Sequence, residues 1–290
     1  MTLLVAPDEV RRLELATRRL VRDLVAGEYA SAFRGRGLEF SEVREYHPGD
    51  EVRSIDWRVT ARLGVPYVRR YEEERELTLV LAVDASASAS VGSRLRTKAE
   101  LAREVAAVMA LAAARHHDRI GAGFFTDRLE HFVEPRKGKR QALRVVSDLL
   151  GWHPRRDVTN LEAGLLELEG ALPPRAVVIL LSDFQADGFE IPLARIARRH
   201  EVVGIQLTDA LEQSLPDAGL VELWDPESGL AWTVDSGDPA VREMLRARQH
   251  AFNERVMKQV RSSGADFLRL DAAAPYAEPL VGFFRRRARR

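Results

Sequence analysis

A chain of 290 residues, 46% of them hydrophobic and 30% charged, holds enough apolar material for a real core, which excludes wholesale disorder. Its 44 Lys and Arg balance its 44 Asp and Glu, so no global charge draws it to nucleic acid or to an anionic membrane. With no cysteine, disulfides, thiolate zinc sites, cysteine nucleophiles and iron–sulfur clusters are excluded, and a metal would have to sit on oxygen or histidine.

The chain opens with an amphipathic pattern from Asp8 to about Ala26, where Val10, Leu13, Leu15, Leu20, Val21 and Leu24 recur at helical spacing. The stretch from Arg34 to Glu76 is dense in Arg and Glu and carries the turn signal Pro48-Gly49-Asp50, which predicts short strands and turns. Within it, Arg44, Asp50, Arg53, Asp56 and Arg58 read as ion pairs that fix an irregular segment, and Trp57 reads as a core residue. It has too few apolar residues to bury a core of its own, so residues 1–76 are expected to pack on residues 77–290.

From Leu77 the pattern changes. Leu77 to Asp84 is an almost unbroken apolar run, as a parallel strand covered on both faces requires. A loop of Ser and Ala leads to a helix from about Leu95 to Arg115, then to strands at Ile120–Phe125 and Leu129–Val133, close enough together to pair antiparallel. Helices at Arg140–Leu150 and Leu161–Ala171 precede a strand at Ala176–Asp183. A helix at Ile191–Arg199 and a strand at Val202–Leu207 follow. A hairpin near 219–235, turning at Pro226-Glu227-Ser228-Gly229, reads as an insertion. A long helix from Asp238 to Ser263, a strand at Phe267–Leu270 and a closing helix from Pro275 complete the chain. This alternation predicts a doubly wound, mostly parallel α/β sheet of six strands over residues 77–290. The longest apolar runs fall far short of the ~20 residues that cross a bilayer, and Met1 to Pro7 lacks a basic leader, so a cytoplasmic location without a transmembrane segment is expected.

In such a sheet ligands bind beyond the carboxyl ends of the strands. Two strands end in Asp there. Asp84-Ala85-Ser86-Ala87-Ser88 alternates oxygen side chains along an extended loop, Ser182-Asp183 closes another strand, and Asp157-Val158-Thr159-Asn160 lies between them. Carboxylates and hydroxyls converging at a sheet edge suit magnesium or manganese. The plainer alternative has Asp84 and Ser86 close a strand and cap the next helix, and Thr159 cap the helix that starts near Leu161.

The pattern Asp-x-Ser-x-Ser, with a later Thr and an Asp after the fourth strand, resembles the metal-ion-dependent adhesion site of von Willebrand factor A domains. That resemblance implies a metal held by Asp84, Ser86, Ser88, Thr159 and Asp183, with a position open for a partner's carboxylate. The stretch from Glu39 through His47-Pro48-Gly49-Asp50-Glu51-Val52-Arg53-Ser54-Ile55-Asp56-Trp57 to Arg62, with Pro226–Gly229 and Phe283-Phe284-Arg285, is similar to the DUF58 family. Membership implies a von Willebrand factor A-like domain commonly encoded beside a MoxR-type AAA+ ATPase and acting as its partner, without an established reaction. A non-catalytic, metal-dependent adaptor is therefore the expected function, and a metal-dependent phosphoester hydrolase is the alternative. No Gly-x-Ser-x-Gly elbow is present, Lys137-Gly138-Lys139 lacks the rest of a P-loop, and a phosphatase's second Asp is replaced by Ser86.

Overall fold

The computed structural model describes residues 7–27, 32–33, 39–72, 76–86, 96–154, 160–224 and 230–289. Contacts divide the chain into a larger unit, residues 1–33 with 77–290, and a smaller one, Arg34–Glu76. The opening helix thus belongs with the larger unit although the smaller one separates them in sequence.

In the larger unit, helix α1 (Pro7–Gly27) is followed, beyond the smaller unit, by the buried strand β3 (Thr78–Asp84), α3 (Lys98–Arg115), β4 (Arg119–Phe125) and β5 (Leu129–Lys137). Next come α4 (Lys139–Gly151), α5 (Leu161–Ala171), β6 (Val177–Ser182), α6 (Glu190–Ala197), β7 (Glu201–Thr208) and the four-residue α7 (Ala210–Gln213). The hairpin β8 (Leu220–Trp224) and β9 (Ala231–Asp235), α8 (Pro239–Ser262), β10 (Asp266–Asp271) and α9 (Ala277–Ala288) end the chain. Six strands form one sheet in the order β10-β7-β6-β3-β4-β5, parallel throughout except for the antiparallel β4–β5 pair.

The apolar run in β3 is shared between two cores because successive side chains point to opposite faces. Leu79, Leu81 and Val83 join α1, α3, α4 and α9 on one face, while Val80 and Ala82 join α5, α6 and α8 on the other. β6 divides in the same way, with Ile179 and Leu181 on one side and Val178 and Leu180 on the other. The close approach of α8 depends on Gly204 in β7, where an added Cβ would lie 2.8 Å from Val260 Cγ1. In α1, Leu20, Val21 and Leu24 are buried, whereas Leu15 faces solvent.

The hairpin is present as expected, with Leu220 opposite Asp235 and Trp224 opposite Ala231; its expected turn, Pro226–Gly229, lies outside the described residues.

The smaller unit contains the antiparallel strands β1 (Glu39–Glu45) and β2 (Tyr67–Glu72) and a short helix, α2 (Trp57–Leu63). Among the expected ion pairs, Arg44 meets Asp50 through two parallel bonds of 2.7 and 2.8 Å. Asp56 caps α2, accepting from the backbone N–H groups of Arg58 and Val59. The reading of Trp57 as core is corrected: it is the first helical residue and is 66% exposed.

Candidate functional site

The strand order reverses at β3, since the chain moves from it to β4 on one side and later returns to β6 on the other. The crevice at the carboxyl ends of β3 and β6 is therefore the switch point where open α/β sheets bind ligands. Asp84 ends β3, and Ser182-Asp183 ends β6, so the fold brings these two strand ends side by side.

Asp84 is buried. Its Oδ1 accepts from the Ser86 backbone N–H at 3.0 Å, and its Oδ2 accepts from the Ser182 hydroxyl at 2.6 Å. Ser182 Oγ in turn accepts from the Phe184 N–H at 2.9 Å. Phe184 has a φ of 59°, uncommon for a bulky side chain, and its fully buried ring packs on Phe189 to hold the turn. That turn sets Asp183 at the edge, where its Oδ1 accepts from the Gln185 N–H at 3.1 Å. Burial, with the Asp183 charge close by, pushes the Asp84 carboxyl up to about 6, against the opposing hydrogen bonds from Ser182 and Ser86.

The structure adds a residue that the sequence pattern did not single out. Lys98, 1% exposed, donates from Nζ to Asp183 Oδ2 at 2.7 Å and to Glu212 Oε1 at 2.6 Å. Burial works to lower this ammonium's pKa, but the two carboxylate charges outweigh it and push Lys98 up to about 12. Glu212 is fixed by a capping box at the start of α7 and also accepts from Gln185 Nε2 at 3.2 Å. Lys98 itself is placed by the N-terminus of α3, where Thr97 and Glu100 form a reciprocal capping box. One residue before Thr97, Arg96 donates to the Ala272 carbonyl at 3.0 Å and lies over the Tyr276 ring.

Two plainer readings are corrected by these caps. Thr97, not Asp84 or Ser86, caps α3, and Asn160 caps α5 by accepting from the Ala163 N–H at 2.9 Å. Of the expected ligands, Asp84, Ser86 and Asp183 come together here, while Ser88 and Thr159 lie outside the described residues. Among the described residues no group of three or more His, Cys, Asp or Glu side chains is placed to hold a metal ion. The donor chemistry nevertheless fits a hard divalent cation. Among the described residues, Asp84, Asp183 and Glu212 set three carboxylates against the ammonium of Lys98, a donor set of hard oxygens that suits such an ion.

A family model described as "Protein of unknown function DUF58" matches residues 42–255. The chain belongs to the DUF58 family. A relative from Mycobacterium tuberculosis (strain ATCC 25618 / H37Rv), uncharacterized protein Rv1480, is 32% identical over 284 residues, covering 97% of this chain and 89% of its own. Uncharacterized protein Mb1516 of Mycobacterium bovis matches with the same figures. Among solved structures, an aerotolerance-related membrane protein from Bacteroides fragilis superposes with a TM-score of 0.52 at 11% identity, over 73% of this chain and 98% of that one. This likeness shows a shared fold. The conserved hypothetical protein BatB from Bacteroides thetaiotaomicron aligns over 74% of this chain and all of its own, with a TM-score of 0.47 and 12% identity. No helix among the described residues of this DUF58 chain is long and apolar enough to cross a membrane.

Proposed function

We propose that this DUF58 protein is a non-catalytic interaction module, von Willebrand factor A-like, that captures a partner's carboxylate through a divalent cation. The observation that carries the reading is the pairing of two buried carboxylates, Asp84 and Asp183, at the switch point of the sheet. Asp84, Ser86 and Asp183, joined by Ser88 and Thr159, would hold magnesium or manganese. Bound there, the ion would supply a Lewis-acidic position for an incoming carboxylate oxygen. The protein's own part is to fix the two aspartates: Ser182 and the Ser86 N–H orient Asp84, while Gln185 N–H and Lys98 orient Asp183. The resemblance that ties DUF58 chains to MoxR-type AAA+ ATPases makes such an ATPase the proposed partner, with this chain as its adaptor.

Calorimetry with Mg2+ and Mn2+ tests the site. One ion of modest affinity is expected, lost in Asp84→Ala. Unchanged binding in that variant, on a folded protein, would overturn the assignment. A pull-down from native lysate with and without chelator tests the partner, and release of an AAA+ ATPase on chelation is expected. Turnover of a generic phosphoester by the pure protein would instead favour the hydrolase.

A further inference from the structure

Asp84 and Asp183 end adjacent parallel strands but meet different surroundings. The hydrogen bonds to Asp84 from the Ser86 N–H and the Ser182 hydroxyl come from neutral groups, whereas Asp183 is bound by a buried ammonium. That ammonium lies at the N-terminus of an 18-residue helix, the end where the backbone dipole disfavours a cation. Lys98 is stable there because one nitrogen serves two carboxylates contributed by distant segments, Asp183 after β6 and Glu212 in α7. The Gln185 amide, which donates to the same Glu212 oxygen, closes the ring between these segments.

We propose that Lys98 is a positioning residue of the candidate metal site, a resident cation that neutralises Asp183 and Glu212 so that the strand ends keep their places whether or not an ion is bound. The inference rests on the metal-dependent reading of this site and deepens it. Lys98 and the ion would share Asp183, so the ammonium both preserves the site's shape and limits its affinity. A loosely held ion then depends on the partner's carboxylate to complete its shell. Removing the ammonium leaves the excess negative charge larger, and an incoming ion would take over the holding of Asp183.

The test compares the full-length wild type with Lys98→Met and Lys98→Met/Asp183→Asn, measuring Mn2+ binding by calorimetry and the melting temperature with and without Mn2+. Loss of a unit positive charge in contact with a ligand carboxylate should tighten Mn2+ binding by about tenfold or more. Without Mn2+ the melting temperature of Lys98→Met should fall, and Mn2+ should raise it by more than it raises the wild type. The double variant should lose the gain in affinity. A Lys98→Met chain recovered folded only in the presence of Mn2+ supports the same conclusion, and Lys98→Gln gives a milder substitution expected to fall between it and the wild type. A Lys98→Met protein that binds Mn2+ no tighter than the wild type and melts low regardless of Mn2+ would overturn the inference. If the wild type still binds Mn2+ and loses it in Asp84→Ala, that result leaves the metal-dependent reading intact. Binding in Lys98→Met but not in the wild type would uphold the role of Lys98 and overturn the reading of the native site. Absence of binding in all variants would overturn both.

Discussion

Two cations, each bridging two carboxylates, sit at opposite edges of the same sheet. At the amino-terminal edge, Arg287 of α9 pairs with Asp266 at the start of β10 and with Glu201 at the start of β7. It also donates to the Ala32 carbonyl at 2.7 Å and lies over the Phe33 ring. At the carboxyl edge, Lys98 bridges Asp183 and Glu212. The Arg287 cluster is a finished structural clamp: a planar fork fits two carboxylates and a carbonyl, with both acids partly in solvent. The Lys98 cluster is more deeply buried and has a third carboxylate beside it, Asp84, whose pKa is raised first by burial and then by the Asp183 charge. A bridging cation alone therefore does not distinguish the two edges; the deeper burial and the third carboxylate do.

Lys98→Met should have the largest effect on this contrast. Removing one partner of a buried ionic cluster leaves the others unpaired, so unfolding in urea without metal should show a loss of about 3–5 kcal/mol. A loss within the range of a surface substitution would mean that Asp183 and Glu212 are solvated and that the two edges do not differ in kind.

The second effect is on pH dependence. Asp84 is raised from 3.8 to about 6, so between those values the folded chain holds a proton that the unfolded chain has released. Its contribution to stability is therefore complete below about 4 and lost as pH rises through 6. Asp84→Asn should remove this slope, and Mn2+ binding by the wild type should weaken below pH 6 as protons compete for the carboxylate. An identical slope in Asp84→Asn would assign the titration to another group.

Arg287→Ala should have the third effect, about 1–2 kcal/mol for lost charge-assisted hydrogen bonds to acids that water can still reach. No divalent ion should restore it. Restoration by Mn2+ would show that the amino-terminal edge also binds cations and would erase the distinction.

How much of this was legible depends on how each feature is written in the chain. The buried parallel strands are local apolar runs, as in Leu79–Val83 and Val177–Leu181, and their carboxyl ends announce themselves as Asp84 and Asp183. The order of strands, which brings those two aspartates together, was not written in that alternation of strands and helices, because it is set by pairing between segments far apart in the chain. Lys98 was not legible as a site residue, because its partners stand 85 and 114 positions away and a lysine at a helix start looks like surface. One signal was available: a cation at the N-terminus of a helix opposes the dipole and implies a compensating acid. Glu212 was hidden in a helix of four residues, too short for any periodicity to mark. Trp57 misled because apolar character does not by itself mean burial: the residue opens a short helix and is largely exposed.

The smallest effect belongs to the pair with the least burial, and it sharpens the comparison from the other side. Asp50 receives two bonds from the Arg44 guanidinium and one from the His47 N–H, and the Arg44 bonds, with His47 next, hold its carboxyl down to about 2. A carboxyl lowered in the folded state stabilises above its ordinary value of 3.8, and that stabilisation disappears as pH falls toward 2, opposite in sign to Asp84. The pair is only partly buried, so salt screens it and global unfolding should hardly register its loss. Carboxyl NMR on the full chain should nevertheless show Asp50 returning toward the ordinary range in Arg44→Gln, and rising in the wild type when salt is added. Titration still near 2 in Arg44→Gln would assign the shift to the His47 N–H, making it a property of the turn and not of an ion pair.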